Sequence, residues 1–294
     1  MRNALLFLVL LLVASCAIEE AQPQKTMQLT IAHNFMNTGQ KKILSKIAKR
    51  RGINLSILEL NANEVRKAIQ QNPWEPGFDL IILDGVSALQ HLKGLAFEYH
   101  EPAFAAIPIG VSYVPDSVVK VRHFKDLSNQ YLWAAADAKA EPILKAHLAY
   151  VYRNRTTNKV LQTSYKDLLR GFIDHKLAFD TYQLQNTLLL CRYDTHLQVL
   201  KKAVQKRQFT YALSKPNRFF ADYISLSVVE QTPHHQTALD FVGFLNYLRD
   251  HNATFRNAFG MSKKSKDAKQ PTPQILLEFF EKWHLNDTAS CRVR

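Results

Sequence analysis

Two spacings of apolar residues alternate along the first third of the chain and mark strands and helices in turn. Leu29 to Ala32 (LTIA) is a short β-rich run. Between Thr38 and Arg51 the apolar positions Ile43, Leu44, Ile47 and Ala48 recur at the three- and four-residue spacing of one helix face, and Gly52 stands where that helix should stop. Ile53 to Leu60 (INLSILEL) returns to strand character, Asn61 and Asn63 are candidate caps, and Glu64 to Gln71 predicts a second helix. Pro73, Trp74, Pro76 and Gly77 interrupt the chain before Phe78 to Leu83 (FDLIIL), a continuous apolar run suited to a strand buried on both faces. Strand, helix, strand, helix, strand is the order of a parallel sheet with crossover helices.

The pattern resumes downstream. Ile107 to Val114 (IPIGVSYV) and Tyr131 to Ala136 are strand-like, Glu141 to Arg153 and Tyr165 to His175 are helical, and Leu177 to Tyr182 is a strand, together a second α/β unit. Phe209 to Leu213 and Tyr223 to Val229 add strands. Thr237 to Arg249 is an amphipathic helix through Ala238, Phe241, Val242, Phe244, Leu245 and Leu248. Ser262 to Pro273 is polar and lysine-rich, a loop by composition, and Gln274 to Trp283 is a last helix. The sequence carries no internal repeat and no low-complexity tract.

Ahead of the first strand lies a different kind of segment. Arg2 is followed by the apolar run Ala4 to Ala14, about eleven residues or roughly 17 Å as a helix, too short for a bilayer core of about 30 Å. Val13-Ala14-Ser15-Cys16 closes it and resembles the lipobox of bacterial lipoproteins. That resemblance implies a leader over 1–15, lipid on Cys16, and a polar tether over 16–26. It places the chain in the cell envelope, periplasmic or at the cell surface, held on a membrane by acyl chains that contribute about 0.8 kcal/mol per buried CH₂. About 279 residues then remain, enough for a large core or two lobes.

Charge changes this picture only in part. Lys and Arg number 38 against 25 Asp and Glu, a net +13, which falls to +12 when Arg2 leaves with the leader. The basic residues are scattered through many predicted helices, so they read as a solvated surface, with no nucleic-acid partner. Cys191 and Cys291 are left once Cys16 is committed to lipid, and whether they pair depends on a distance that sequence does not give.

The order of segments resembles the type 2 periplasmic solute-binding proteins, the receptors of ABC importers. LTIA…ILSKIAKRRGINLSILEL resembles their opening strand, helix and second strand, and FDLIILDGVSALQHLKGL their third strand and the turn behind it. VSYVPDSV…FKDLSN is similar to the passage into the second lobe, RGFIDHKLAFDTY to the short strand with a ligand-contact turn, and ADYISLSVV…TALDFVGFLNYLRD to the return strand and following helix. The resemblance covers about residues 27–260 and is nearest the ferric-iron-binding group. It implies an α/β fold of two lobes, mixed sheets flanked by helices and joined by hinge strands, with 27–110 and 212–294 in one lobe and 111–211 in the other.

In such a fold the sites lie beyond the C-terminal ends of strands. The loops after Ala32, Leu83 and Tyr182 then supply His33, Asn34, Asp84, Gly85, Ser87, Tyr182, Gln183 and Gln185, with Tyr113 as a further candidate. By resemblance Asp84 stands where the iron receptors carry a carboxylate, Tyr182 where they carry the first of two adjacent tyrosines, and His33 near their histidine. Ferric iron, a hard cation, favours such anionic oxygens, which makes Asp84 and Tyr182 the metal candidates. Gln183 replaces the second tyrosine, and a carboxamide is a poorer partner for a trivalent ion than phenolate. An organic or oxyanion solute, held by backbone N–H groups and basic residues, therefore stays open beside iron, as does a non-transport scaffold or adhesin.

Catalytic spacings are missing: no His-Glu-x-x-His, no Gly-x-Ser-x-Gly, no glycine-rich phosphate loop, and only nine Gly in the chain. The sequence therefore reads as a binding protein, not an enzyme, with no resident cofactor, a membrane permease as partner and a monomer as its working state.

Overall fold

The computed structural model describes residues 26–113, 132–135, 187–195, 210–212, 221–230, 232–262 and 272–282. Three parallel strands open it: β1 (Met27–His33), β2 (Ile53–Glu59) and β3 (Leu80–Asp84), with β1 in the middle. Helices α1 (Thr38–Lys49) and α2 (Ala62–Gln71) make the crossovers. Each helix begins with a capping box. Asn37 and Gln40 exchange side-chain and backbone bonds at the start of α1, and Asn61 and Glu64 do so at the start of α2. Gly52, at φ 70, turns the chain after α1 as its position in the sequence implies.

The next strands run the other way. β8 (Ala221–Val229) pairs antiparallel with β3, and β4 (Phe97–Tyr113) pairs antiparallel with β8. Among the described residues eight strands thus form one network in the order β2-β1-β3-β8-β4-β6-β5, with β7 (Thr210–Ala212) also on β4. β4 links its two parts. Residues 97–108 pair with β8, whereas Ile109 to Tyr113 pair with β6 (Thr187–Arg192) and β7. β5 (Leu132–Ala135) extends the second part in parallel with β6.

Two apolar layers cover the first part of the sheet. On one face Leu29, Ile31, Leu80 and Leu226 pack against Leu44 of α1, Phe241 and Leu245 of α4 (His235–His251), and Phe255 of α5 (Ala253–Phe259). On the other, Ala32, Ile81 and Leu83 pack against Val65 and Ile69 of α2 and against Leu89 and Leu92 of α3 (Leu89–Leu92). Alternate residues of β1 and β3 therefore serve opposite cores, which is why FDLIIL is apolar throughout. Each large side chain so buried contributes about 1.5–3 kcal/mol. A last helix, α6 (Pro273–Lys282), lies beyond α5.

Several described elements depart from the sequence reading. β4 starts ten residues before Ile107, because its pairing with β8 skips at Phe97/Tyr99 and again between Glu101 and Ala105, and these irregularities accommodate Pro102 and the acidic positions. β6, α3 and α5 are not among the elements that the sequence pattern predicts. The expected helices at 141–153 and 165–175 and the strand at 177–182 lie outside the described residues, as do Cys16, Cys291 and the leader.

Candidate functional site

The C-terminal ends of β1 and β3 lie side by side, and a short set of polar residues joins them. Asn34, just past β1, accepts the Asp84 N–H at 2.8 Å and donates its amide to the Asp84 carbonyl at 3.0 Å. Gly85 follows at φ 97, a backbone angle that favours glycine, and its N–H donates to the Tyr223 carbonyl at 3.0 Å. A 3₁₀ turn, Val86–Ala88, then places half-buried Ser87 at the edge. Asn34, Gly85 and Ser87 are thus brought together where the sequence reading put them.

Asp84 is also there, but its carboxylate faces inward. Arg192, the last residue of β6, is fully buried and donates Nη2 to both Asp84 oxygens, at 2.7 and 2.9 Å. Its Nη1 donates to Asp222 of β8 at 2.6 Å, while Nε and Nη2 reach the two oxygens of Asp194 at 3.1 and 3.0 Å. One guanidinium therefore ties β3 and β8 of the first part of the sheet to β6 of the second. Asp222 completes its own bonding by accepting the Val86 and Tyr223 N–H groups at 3.0 and 2.9 Å.

Three carboxylates around one cation leave the cluster electron-rich. Burial pushes the Asp222 carboxyl up to about 6, with Arg192 pulling it down and Asp84 adding to the rise. Burial alone would lower the Arg192 guanidinium, yet Asp84, Asp222 and Asp194 outweigh it and hold the group above the ordinary arginine value. Sequence reasoning missed this arginine. The available signal was a cation closing the apolar run TLLLC at Arg192, with Asp194 two positions on.

His33 has another task. Its Nδ1 accepts the N–H groups of Phe35 and Met36 at 3.1 and 3.0 Å, so the ring is neutral with its proton on Nε2, and it staples the turn into α1. Burial lowers its pKa, and Lys41 lowers it further. Nε2 is buried without a partner among the described residues. The side chain points to the layer under α1, away from the Asn34–Gly85 edge that the sequence reading gave it. Tyr113 ends β4 opposite Thr210 of β7, and Tyr182, Gln183 and Gln185 lie outside the described residues. Among the described residues no three or more His, Cys, Asp or Glu side chains are placed to hold a metal ion.

Solved structures share this fold along most of the chain. A Bordetella ferric binding protein superposes with a TM-score of 0.66 at 12% identity, covering 90% of this chain and 100% of its own. The chain has the substrate-binding-protein fold. A Trichodesmium protein in complex with iron and citrate matches with a TM-score of 0.65 at 8% identity, over 91% of this chain and 100% of its own. The substrate-binding domain of a putative molybdenum ABC transporter from Clostridium difficile matches at 0.56 and 17% identity, over 81% and 100%. No protein-family profile and no curated protein matches the sequence. In this fold β4 is a strand that runs from one sheet into the other, and the Asn34–Gly85–Ser87 edge is the C-terminal edge at which α/β sheets bind ligands. No described helix is long and apolar enough to cross a membrane.

Proposed function

We propose that the chain is the extracytoplasmic receptor of an ABC importer, binding a small solute between two lobes and delivering it to a membrane permease. The observation that carries this reading is β4, a single strand of 17 residues that belongs to both parts of the strand network and crosses between them at the end of β8 where Asp84 pairs. Its crossing near Ile109 supports lobes over 27–110 with 212–294 and over 111–211. Two lobes pivoting on such strands close over a ligand whose binding free energy biases the closed state. The work is binding, not catalysis, and a monomer suffices for it.

The first lobe offers neutral donors and acceptors at this edge: the Asn34 amide, the Ser87 hydroxyl and backbone groups around Gly85. Asp84 holds Arg192 with both oxygens, and its side chain is 1% exposed. A bare ferric ion at Asp84 must therefore break a buried ion pair, a change that costs several kcal/mol. A solute that brings its own anionic oxygens needs no such break, and it suits a chain of net charge +13. The reading is an organic or inorganic oxyanion, or ferric iron carried by one, with Tyr182 and Gln183 completing the site from the second lobe and Tyr113 beside the crossing.

Small-angle scattering with ferric citrate, citrate alone and molybdate tests the receptor, and compaction with one of them is expected. If none compacts or binds, the receptor reading with these solutes is lost. Iron bound through Tyr182 gives a phenolate charge-transfer band in the visible that Tyr182→Phe abolishes. Tight binding of the free anion, colourless and insensitive to Tyr182→Phe, assigns the site to the anion. Lipid on Cys16 is tested separately, since Cys16→Ser should release the protein from membranes after a salt wash.

A further inference from the structure

The end of the first sheet opposite the Asn34–Gly85 edge has a character of its own. β1 begins there, and the Met27 N–H donates to the Gly52 carbonyl at 3.1 Å, which fixes the start of the fold beside the end of α1. Lys42, Lys46 and Lys49 recur at i, i+4 and i+7 on the exposed flank of α1, and Arg50 and Arg51 follow, all solvent-exposed. The Arg51 guanidinium lies 3.6 Å above the Phe244 ring. Between α1 and α4 opens a cleft of about 420 Å³ with Ile43, Ile47, Leu248 and Phe255 in its lining and Arg50 and Arg51 at its rim. Tyr247, one turn from Phe244, is 59% exposed. The connection from α2 to β3 returns to the same end and presents Trp74, 62% exposed.

We propose that this end of the first lobe docks on an anionic phospholipid bilayer. The proposal rests on the tethered-receptor reading, and three observations converge on it. Ten residues separate Cys16 from Met27, so a lipid on Cys16 keeps Met27 within about 35 Å of the bilayer even when the tether is fully extended. The cations meet that surface as a cluster, against which Asp79 is buried on the Thr30 N–H at 2.8 Å and Glu75 is the exposed carboxylate beside Trp74. An exposed Trp, an exposed Tyr and an apolar cleft under an arginine rim suit the headgroup and upper acyl region, where aromatic rings concentrate. In this pose the Asn34–Gly85–Ser87 edge, at the far end of the same strands, faces away from the membrane and stays open to solute.

Vesicle binding tests it. The chain from Cys16 onward, carrying Cys16→Ser so that only surface binding is scored, is sedimented with vesicles of about 30% phosphatidylglycerol in phosphatidylcholine and with phosphatidylcholine alone. Each cation near such a surface is worth about fivefold in affinity, so Lys46→Gln, Lys49→Gln and Arg50→Gln together should weaken binding about a hundredfold. Raising the salt should do the same to the parent. Lys41→Gln, Lys67→Gln and Arg256→Gln remove the same charge outside this cluster and should change binding far less. Tryptophan emission should shift to the blue on binding, and Trp74→Phe should remove most of that shift.

Equal losses for the two triple variants would reduce the effect to net charge and overturn the proposal, as would a parent that ignores anionic vesicles. A patch variant that keeps vesicle binding but loses association with the solubilised transporter would give the surface to a protein partner instead. The scattering experiment with ferric citrate, citrate and molybdate is indifferent to all three outcomes, so the two readings fail separately.

Discussion

Replacing Arg192 by Met tests whether one buried guanidinium holds the two parts of the sheet together. Methionine keeps the unbranched stem and removes the charge and every donor. Asp84 and Asp222 then lose the cation that lies between them, for Arg192 bonds Asp84 twice and Asp222 once and both carboxylates are almost fully buried. Removing one member of such a pair costs about 3–5 kcal/mol, since a buried charge is left without its counterion. That is a fifth or more of the stability of a typical domain, about 5–15 kcal/mol. Urea unfolding followed by circular dichroism at pH 7.5 reads it directly.

The pH dependence separates lost charge from lost packing. Asp222 has its folded pKa raised to about 6 from an ordinary 3.8, so between those values the folded state binds more protons than the unfolded one. Stability from this group is therefore fully present below about pH 4 and is lost as pH rises through 6, a loss of about 3 kcal/mol. Arg192 opposes the rise, and without it the Asp222 pKa climbs further. Each added unit makes the variant's deficit at pH 7.5 about 1.4 kcal/mol larger than its deficit at pH 5. A deficit below about 1 kcal/mol at pH 7.5, or one that does not shrink toward pH 5, would refute the reasoning.

Other expectations follow from single contacts. Gly260→Ala puts a Cβ 2.6 Å from Asp194 Cβ and 2.8 Å from its Cα at φ 66, so it should destabilise by about 2–4 kcal/mol, whereas Gly52→Ala, at φ 70 in open space, should lose only about 1 kcal/mol in the same urea titration. Asn61→Ala removes the acceptor for the Asn63 and Glu64 N–H groups and should cost about 1 kcal/mol, with hydrogen exchange rising first in the opening turn of α2. His33, its pKa lowered by burial and then by Lys41, contributes stability that is lost as pH falls below 6.5; its ring resonances should titrate below that value, and a titration above it would contradict the Nδ1 bonds to Phe35 and Met36.

The first sheet was legible because its signals are local. Gly52, Asn61 and the spacing of Ile43, Leu44, Ile47 and Ala48 each act within one turn, and β1, β2, β3, α1 and α2 lie where those signals put them. β4 was half legible. Its first ten residues carry Glu98, Glu101 and Pro102, which propensity assigns to a loop, and the strand exists because β8 accepts it with two skipped positions. α5 is a single stretch of seven residues capped by Asn252, too short for a helical period to declare itself.

The edge residues Asn34, Gly85 and Ser87 could be named from sequence, because any residue just past a parallel strand reaches that edge. The direction of the Asp84 carboxylate could not. It is set by Arg192, 108 residues away, and by Asp222, 30 residues beyond that, and no periodicity links positions so distant. Chain order alone offers Asp84 to solvent or to a metal with equal plausibility. Burial decides between them: the Asp84 side chain is 1% exposed at the end of a fully buried strand, and β6 brings Arg192 against both of its oxygens. The charge that made Asp84 look like a ligand thus holds the strands at the junction in place, and the groups that this pairing leaves at the edge, around Asn34, Gly85 and Ser87, are neutral.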